Sequence, residues 1–189
     1  MKHIVIFASG SGSNAQKIAE YFAASDTARV VMIYSNRRDA YVLQRAQKLN
    51  IPAIVFNKED FYDNNVILNH LNNINPDLIV LAGFLWKVPE KIVDAFPKRI
   101  VNIHPALLPN YGGKGMYGAN VHSAIIANRE KMSGITIHYI NENYDEGDVI
   151  FQATCKIDND DTPETLAEKV HALEHKYYPE IVEEILLSG

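Results

Sequence analysis

The sequence predicts an α/β fold with a Rossmann-like, mostly parallel sheet and helices on both of its faces. Short runs of β-branched residues alternate with stretches of helical periodicity, which is the rhythm of repeated βαβ units. The run "LIVLAG" is apolar without interruption, which indicates a strand that is buried on both faces. The second half breaks the rhythm, because two strands joined by a polar loop precede a long C-terminal helix. We therefore expect antiparallel strands and a terminal helix in that part.

The first five strands are predicted from runs of apolar and β-branched residues, and the helices between them from apolar positions spaced three and four apart. These strands cover residues 3–8, 29–35, 53–56, 77–82 and 99–104, and the helices cover residues 14–24, 39–49, 63–73 and 89–95.

Two further strands and a last helix are predicted in the second half of the chain. The strands cover residues 134–140 and 148–156, and the helix covers residues 163–187. Thr162 is predicted to cap this helix, with Pro163 in its first turn and Glu164 matching the helix dipole. With no repeat, low-complexity tract or linker, residues 1–189 are predicted to form a single domain.

Composition excludes several classes of function. The chain has a net charge of −5 and no run of basic residues, so nucleic acid is a poor partner. Cys155 is its one cysteine, which excludes an internal disulfide framework and a CxxC metal site. The apolar run near the N-terminus is too short for a signal sequence or a membrane span. We expect a cytoplasmic soluble protein that does not associate with membranes, and we leave open whether it forms a homodimer.

A glycine-rich turn, "ASGSGSN", separates the first strand from the first helix. Gly10 and Gly12 allow close approach of backbone N–H groups to a ligand, and Ser11 and Ser13 add hydroxyl groups. The turn lacks the Lys of a Walker loop and the third glycine of the dinucleotide fingerprint. Taken alone, it is either a phosphate-binding site or a tight turn capped by Ser13 or Asn14.

The fifth strand ends in "VNIHPALLPN". Residues two apart in a strand face the same side, so Asn102 and His104 present an amide and an imidazole to the same ligand. Such a pair suits acyl transfer, in which an oxyanion must be stabilised and protons must move. The alternative is a histidine that only forms a local hydrogen bond at the strand end. Pro105 and Pro109 restrict the backbone beside the pair, but the sequence does not show the isomer of the Leu108–Pro109 bond.

An acidic loop, "NENYDEGD", lies between the last two predicted strands. A carboxylate from this loop, such as Asp145, would favour the protonated imidazole of His104 and hold its orientation if the two met. The alternative is an ordinary solvated turn.

Other chemistry is weakly supported. His122, His138, His171 and His175 have no metal-ligand motif, although the last two are four apart on a predicted helix and could bind zinc. Ser123 lies in no nucleophile elbow and Cys155 lies in an apolar strand, so covalent catalysis is not expected. The glycine-rich segment 112–122 is expected to be a mobile loop near the site, in which Lys114 contacts an anion or faces water.

Together these motifs resemble a known family. "SGSGSN", "VLAGFLWKVPE", "NIHPALLPNYGGKG", "GITIHYINENYDEGDVI" and "ALEHKYYP" occur in the order typical of the phosphoribosylglycinamide formyltransferases, which are also called glycinamide ribonucleotide transformylases. The resemblance covers residues 3–182 and is specific because the motifs occur in combination.

The resemblance implies a folate-dependent transferase of purine biosynthesis. It implies transfer of the formyl group of 10-formyltetrahydrofolate, the co-substrate, to the amine of glycinamide ribonucleotide, without a metal. It assigns the phosphate-binding half to residues 1–100 and the catalytic and folate-binding half to residues 101–189. The implied catalytic residues are Asn102, His104 and Asp145. Gly12, Ser13, Asn14, His171 and Glu174 are implied to bind the ribonucleotide, and Leu85, Trp86, Lys87, Val88, Asn141, Glu142, Asn143 and Tyr144 are implied to bind folate.

Formyl transfer between two nitrogens needs no covalent enzyme intermediate. We expect Asn102 and protonated His104 to donate hydrogen bonds to the tetrahedral oxyanion, while Asp145 raises the imidazole pKa and helps to relay the proton.

The chain departs from the family pattern at three places. Trp86 stands where many members have a basic residue, and the loop after "LLP" is longer. Asn64 and Asn65 stand where the family often has the Arg that meets the folate glutamate tail, so Lys87 is the remaining candidate for the tail, unless it is only solvated.

Several proteins with related motifs remain alternatives. Methionyl-tRNA formyltransferase and formyltetrahydrofolate hydrolase are disfavoured because each usually carries an extra module, whereas this acidic chain is expected to be one domain. A sugar-nucleotide N-formyltransferase is the enzyme runner-up, and the glycine-rich turn, which suits a 5′-phosphate, favours the ribonucleotide instead. A non-catalytic binding module is disfavoured by the presence of Asn102, His104 and Asp145 together.

Overall fold

A computed structural model describes residues 1–141, 143 and 145–188. The first half alternates strands and helices in the order β1 Lys2–Phe7, α1 Ser13–Phe22, β2 Ala28–Ser35, α2 Val42–Lys48, β3 Ala53–Val55, α3 Val66–Ile74, β4 Leu78–Leu81, α4 Glu90–Ala95 and β5 Ile100–His104. The second half contains α5 Ala119–Ala127, β6 Met132–Tyr139, β7 Val149–Lys156 and α6 Pro163–Ser188. A short π-helical turn, Glu59–Asp63, precedes α3.

The strands form one seven-stranded sheet in the order β3-β2-β1-β4-β5-β6-β7. Strands β1 to β5 pair in parallel, and β6 pairs antiparallel with both β5 and β7. The predicted fold class is therefore confirmed, including the antiparallel C-terminal strands. The chain order reverses between β1 and β4, and in open α/β sheets ligands bind beyond the carboxyl ends of the strands at such a point.

Helices cover both faces of the sheet because successive side chains in the buried strands point in opposite directions. Ile4 and Ile6 of β1 belong to the core beneath α1, α2, α5 and α6. Val5 and Phe7 of the same strand belong to the opposite core, which is rich in aromatic side chains and is covered by α3 and α4. Two buried faces explain why the inner strands are continuously apolar.

Helix α6, at the end of the chain, packs against the middle of the sheet. Its N-terminus has the predicted cap, since the hydroxyl of Thr162 accepts a hydrogen bond from the backbone N–H of Thr165 at 3.3 Å. Further along, the fully buried hydroxyl of Tyr178 donates to the carbonyl of Leu81 at 2.9 Å. This bond fixes α6 beneath the carboxyl end of β4, where the reversal in chain order lies.

The structure differs from the sequence prediction mainly in the segment 112–122. Residues 119–127 form α5, so the last part of the segment that was expected to be a mobile loop is helical. Gly113, Gly115 and Gly118 have positive φ angles and form the approach to this helix.

The Leu108–Pro109 peptide bond, whose isomer the sequence does not show, is cis. None of the helices in the described ranges is both long and apolar enough to cross a membrane.

Candidate active site

A cavity of about 630 Å³ opens at the carboxyl ends of β1, β4 and β5. Its walls come from the turn after β1, the segment after β4, the end of β5, the glycine-rich approach to α5, and α6. Most residues that the sequence singled out line it. They are Gly12, Ser13, Asn14, Leu85, Trp86, Lys87, Val88, Asn102, His104, Asn141, Asn143, Asp145, His171 and Glu174. Glu142 and Tyr144 lie outside the described residues.

The strand tip and the acidic loop meet, as the family resemblance implied. His104 Nδ1 lies 3.6 Å from Asp145 Oδ2, and both side chains are largely buried. Asp145 Oδ2 also accepts a hydrogen bond from the backbone N–H of Gly113 at 2.9 Å. Residues far apart in the sequence thus form one polar cluster on the cavity wall.

The other nitrogen of His104 is engaged by the backbone. Nε2 lies 2.7 Å from the carbonyl oxygen of Tyr111, and because a carbonyl only accepts, Nε2 carries the proton. Nδ1 is the nitrogen that faces Asp145. This arrangement fixes both the tautomer and the orientation of the ring.

Burial decides the charge of His104 in this state. Burial lowers the pKa of His104, and this effect outweighs Asp145 and the Tyr111 carbonyl, which both raise it. Burial thus opposes the expected imidazolium, whereas Asp145 acts on the pKa in the predicted direction. For Asp145, burial raises the pKa, but contacts with His138, His104 and the Gly113 N–H hold it below the usual value of 3.8. A carboxylate thus faces a neutral imidazole.

The amide of Asn102 is held by a residue of the neighbouring strand. Asn102 and His138 are partners in the β5–β6 pairing, and Asn102 Nδ2 lies 3.2 Å from His138 Nε2. His138 Nδ1 donates to the carbonyl of Tyr139 at 2.9 Å, so in the neutral ring Nε2, which also lies 3.6 Å from Asp145 Oδ1, is the acceptor. One N–H of the amide is used in this way, and the second remains for a ligand.

One end of the cavity has the character of an anion site. Gly12 precedes α1 with a φ of 72°, and a Cβ at this position would lie 2.8 Å from the Cα of Val42. Only glycine fits both the backbone conformation and the space. The first backbone N–H groups of a helix have no partner within it, so the start of α1 offers donors to the cavity.

Below this turn lies a buried carboxylate. Asn14 Nδ2 donates to Glu174 Oε2 at 2.8 Å, and only 6% of Glu174 is exposed. Burial raises the pKa of Glu174, and the hydrogen bond from Asn14 and the charge of His171 oppose this effect. The carboxylate is an acceptor that suits the hydroxyl groups of a sugar.

The opposite wall is apolar and aromatic. Leu85 donates its backbone N–H to Ser9 Oγ at 2.9 Å, and Val88 is buried. The ring of Trp86 contacts Phe56 edge-on at a centroid distance of 5.9 Å. A flat aromatic ligand would fit such a wall.

Comparison with known proteins decides the family. The chain matches the formyl transferase family over residues 2–182. It belongs to the formyl transferase family. The match confirms, at the level of the family, the resemblance that the sequence motifs carried.

Several relatives of this formyl transferase are named phosphoribosylglycinamide formyltransferase. The chain is 41% identical over 187 residues to "Phosphoribosylglycinamide formyltransferase, chloroplastic" of Arabidopsis thaliana, covering 96% of the chain and 64% of the relative. It is 33% identical to phosphoribosylglycinamide formyltransferase of Bacillus subtilis, covering 98% of the chain and 95% of the relative. The chain thus spans less than two thirds of the plant relative and nearly all of the bacterial one. The crystal structure of phosphoribosylglycinamide formyltransferase from Anaplasma phagocytophilum has a TM-score of 0.90 at 33% identity, covering 99% of this chain and 88% of that one.

Sequence reasoning missed two parts of the site. His138 was considered only as a metal ligand. Its contact with Asn102 follows from the register of β5 and β6, which the sequence does not reveal. The carbonyl of Tyr111 is a backbone group and leaves no mark on the side-chain pattern.

His171 and His175 have stacked rings 6.3 Å apart. Within residues 1–141, 143 and 145–188, no three His, Cys, Asp or Glu side chains form a group that could hold a metal ion.

Proposed function

We propose that this formyl transferase transfers the formyl group of 10-formyltetrahydrofolate to the amine of glycinamide ribonucleotide. The products are formylglycinamide ribonucleotide and tetrahydrofolate, in de novo purine biosynthesis. The observation that carries the proposal is the approach of His104 to Asp145 at 3.6 Å, on the wall of a cavity with an anion site at one end. The names of the relatives support the choice of substrates.

In the proposed binding mode, the two substrates occupy opposite ends of the cavity. The start of α1, with Gly12, Ser13 and Asn14, binds the phosphate, while Glu174 accepts hydrogen bonds from ribose hydroxyls with His171 beside it. The folate lies against the wall of residues 85–88 and the loop 141–144. The formyl group and the attacking amine then meet at Asn102 and His104.

The proposed chemistry follows from the hydrogen bonds of the cluster. The amine attacks the formyl carbon, and the free N–H of Asn102 donates to the oxyanion that forms. His104 Nε2–H leaves the Tyr111 carbonyl and donates to the same oxygen. The oxyanion raises the imidazole pKa, so the attacking nitrogen, which is positively charged after the attack, gives its proton to Nδ1 of His104, and Asp145 stabilises the imidazolium. The imidazolium then gives a proton to the folate nitrogen as the bond between that nitrogen and the formyl carbon breaks and the oxyanion returns to a carbonyl.

We also infer the organisation and the setting of the enzyme. Residues 1–189 act as a single domain, in which residues 1–100 supply the phosphate site and residues 101–189 supply the catalytic cluster. The reaction is proposed to take place in the cytoplasm, without nucleic acid or membrane as partners. Light scattering on the purified protein would establish whether it forms a homodimer.

A mixing assay tests the proposed function. Purified protein is combined with 10-formyltetrahydrofolate, with and without glycinamide ribonucleotide, and tetrahydrofolate is measured. We expect release that depends on the ribonucleotide and that falls about 10²–10³-fold in His104→Ala and Asn102→Ala, the size of effect typical of a lost oxyanion donor. Release without the ribonucleotide would indicate a hydrolase, and release only with a nucleotide-linked amino sugar would indicate the runner-up enzyme. Normal turnover in a folded His104→Ala would contradict the mechanism.

A further inference from the structure

One buried histidine of the cavity has no part in the chemistry above. His122 lies on α5, lines the cavity, and is only 3% exposed. It lines the same cavity as His171 and His104, and the charges of both act on its pKa. His122 thus shares one cavity with residues of both the ribose-binding end and the formyl-transfer cluster.

The hydrogen bonds of the ring determine its tautomer. His122 Nδ1 is buried without a hydrogen-bond partner, and none of the described residues bonds to the ring. A buried N–H without an acceptor is rarer and more costly than a buried lone pair without a donor. Nδ1 is therefore the bare nitrogen, and Nε2 carries the proton towards the cavity that the side chain lines.

The ring is neutral at physiological pH. Burial, together with the smaller effects of the charges of His171 and His104, lowers the pKa of His122 from 6.5 to about 4. A neutral N–H donor does not attract a phosphate as a cation does, and it does not supply a proton at pH 7. It fits an uncharged acceptor, such as the oxygen of an amide.

We propose that Nε2–H of His122 donates a hydrogen bond to the amide carbonyl oxygen of the glycinamide arm of the ribonucleotide. The inference rests on the proposed function, because it is this substrate that has an amide carbonyl between its ribose and its reactive amine. The carbonyl then lies between Glu174 and His104, where the amine is directed at the formyl group. His122 thereby selects acceptors that carry a carbonyl at this point of the arm.

Two amide substitutions separate this role from simple packing. In His122→Gln the amide nitrogen reaches the place of Nε2, whereas in His122→Asn it reaches only the place of Nδ1. We expect His122→Gln to bind the ribonucleotide within about 3-fold of the unchanged protein. His122→Asn and His122→Leu should bind it about 5- to 100-fold more weakly, because the bond is lost and the carbonyl is buried unpaired. Titration calorimetry with the ribonucleotide alone measures this without turnover, and folate affinity should not change.

A change in the ligand tests the same bond from the other side. A carbocyclic ribonucleotide in which a methylene replaces the carbonyl should bind the unchanged protein about 5- to 100-fold more weakly than its parent carbocyclic amide. His122→Asn should distinguish these two ligands by less than about 2-fold. This arm remains informative if a His122 variant fails to fold, since the unchanged protein alone must distinguish the two ligands.

The outcomes are separable. Equal binding of the ribonucleotide by the unchanged protein, His122→Asn and His122→Leu overturns the inference and leaves the proposed function intact. Weakening in His122→Gln as large as in His122→Asn also overturns it, because that result indicates packing. Failure of the unchanged protein to bind the ribonucleotide at all overturns both proposals.

Discussion

At the scale of single residues, the catalytic amide is oriented by its neighbour rather than by its own strand. An Asn side chain can present either its oxygen or its nitrogen to a ligand. In this protein His138 accepts one N–H of Asn102, and the carbonyl of Tyr139 fixes the His138 tautomer. The nitrogen of Asn102 is therefore held in place, and its second N–H is available for an oxyanion.

This chain of contacts makes His138 a positioning residue for formyl transfer. We expect His138→Phe to lower kcat about 10- to 100-fold, because the Asn102 amide becomes free to turn, while KM for both substrates stays within about 3-fold. Steady-state kinetics would show this division between kcat and KM. His3→Phe changes a histidine at the start of β1, at the end of the sheet away from the cavity, and should leave kcat unchanged. A rise in KM with normal kcat in His138→Phe would contradict the role.

At the scale of elements, the sequence predicted those whose reason is local. Strands β1 and β4 carry continuous apolar runs, and the cap at Thr162 follows from residues next to one another. Helix α5 was not predicted, since Gly118 directly precedes it and its polar and apolar residues are not clearly separated onto two faces. The meeting of β5 with the Asp145 loop depends on the pairing of β5, β6 and β7, so the residues alone left it open. It was predicted through the family resemblance.

The turn between β1 and α1 is the element whose backbone most constrains the sequence. Gly12→Ala would place a methyl group 2.8 Å from the Cα of Val42 at a φ of 72°. We expect a loss of about 1–3 kcal/mol in the free energy of unfolding, from backbone strain and overpacking. Ribonucleotide affinity should fall at least tenfold, because the N–H groups of the phosphate site would be displaced.

Gly10→Ala is the matched control for the stability measurement. A Cβ at Gly10 would have no heavy atom within 4 Å, and its φ is not in the left-handed region. Urea denaturation of the two variants should therefore separate them by at least 1 kcal/mol. Equal stabilities would show that the turn adapts to a side chain and that Gly12 is not required by its fold.

At the scale of the whole molecule, the site makes folding depend on pH. The folded protein holds His122 with a pKa of about 4, whereas the unfolded chain binds a proton there near 6.5. Because the folded pKa is lower, the stabilisation is complete above pH 6.5 and is lost as the pH falls from 6.5 towards 4. Burial lowers the pKa of His104 as well, so it acts in the same direction.

We therefore expect His122 to lower the free energy of unfolding by about 1 kcal/mol for each pH unit as the pH falls from 6.5 to 4, while the raised pKa of Glu174 acts in the opposite direction. Urea denaturation at half-unit steps of pH would measure the slope, and His122→Gln should reduce it, because a Gln does not titrate. Asp145 does not produce this slope, since its pKa lies below 3.8 in the folded state and its own contribution is lost only at still lower pH. An unchanged slope in His122→Gln would contradict this prediction. It would show that His122 takes up its proton at the same pH in the folded and unfolded protein, so that burial does not lower its pKa.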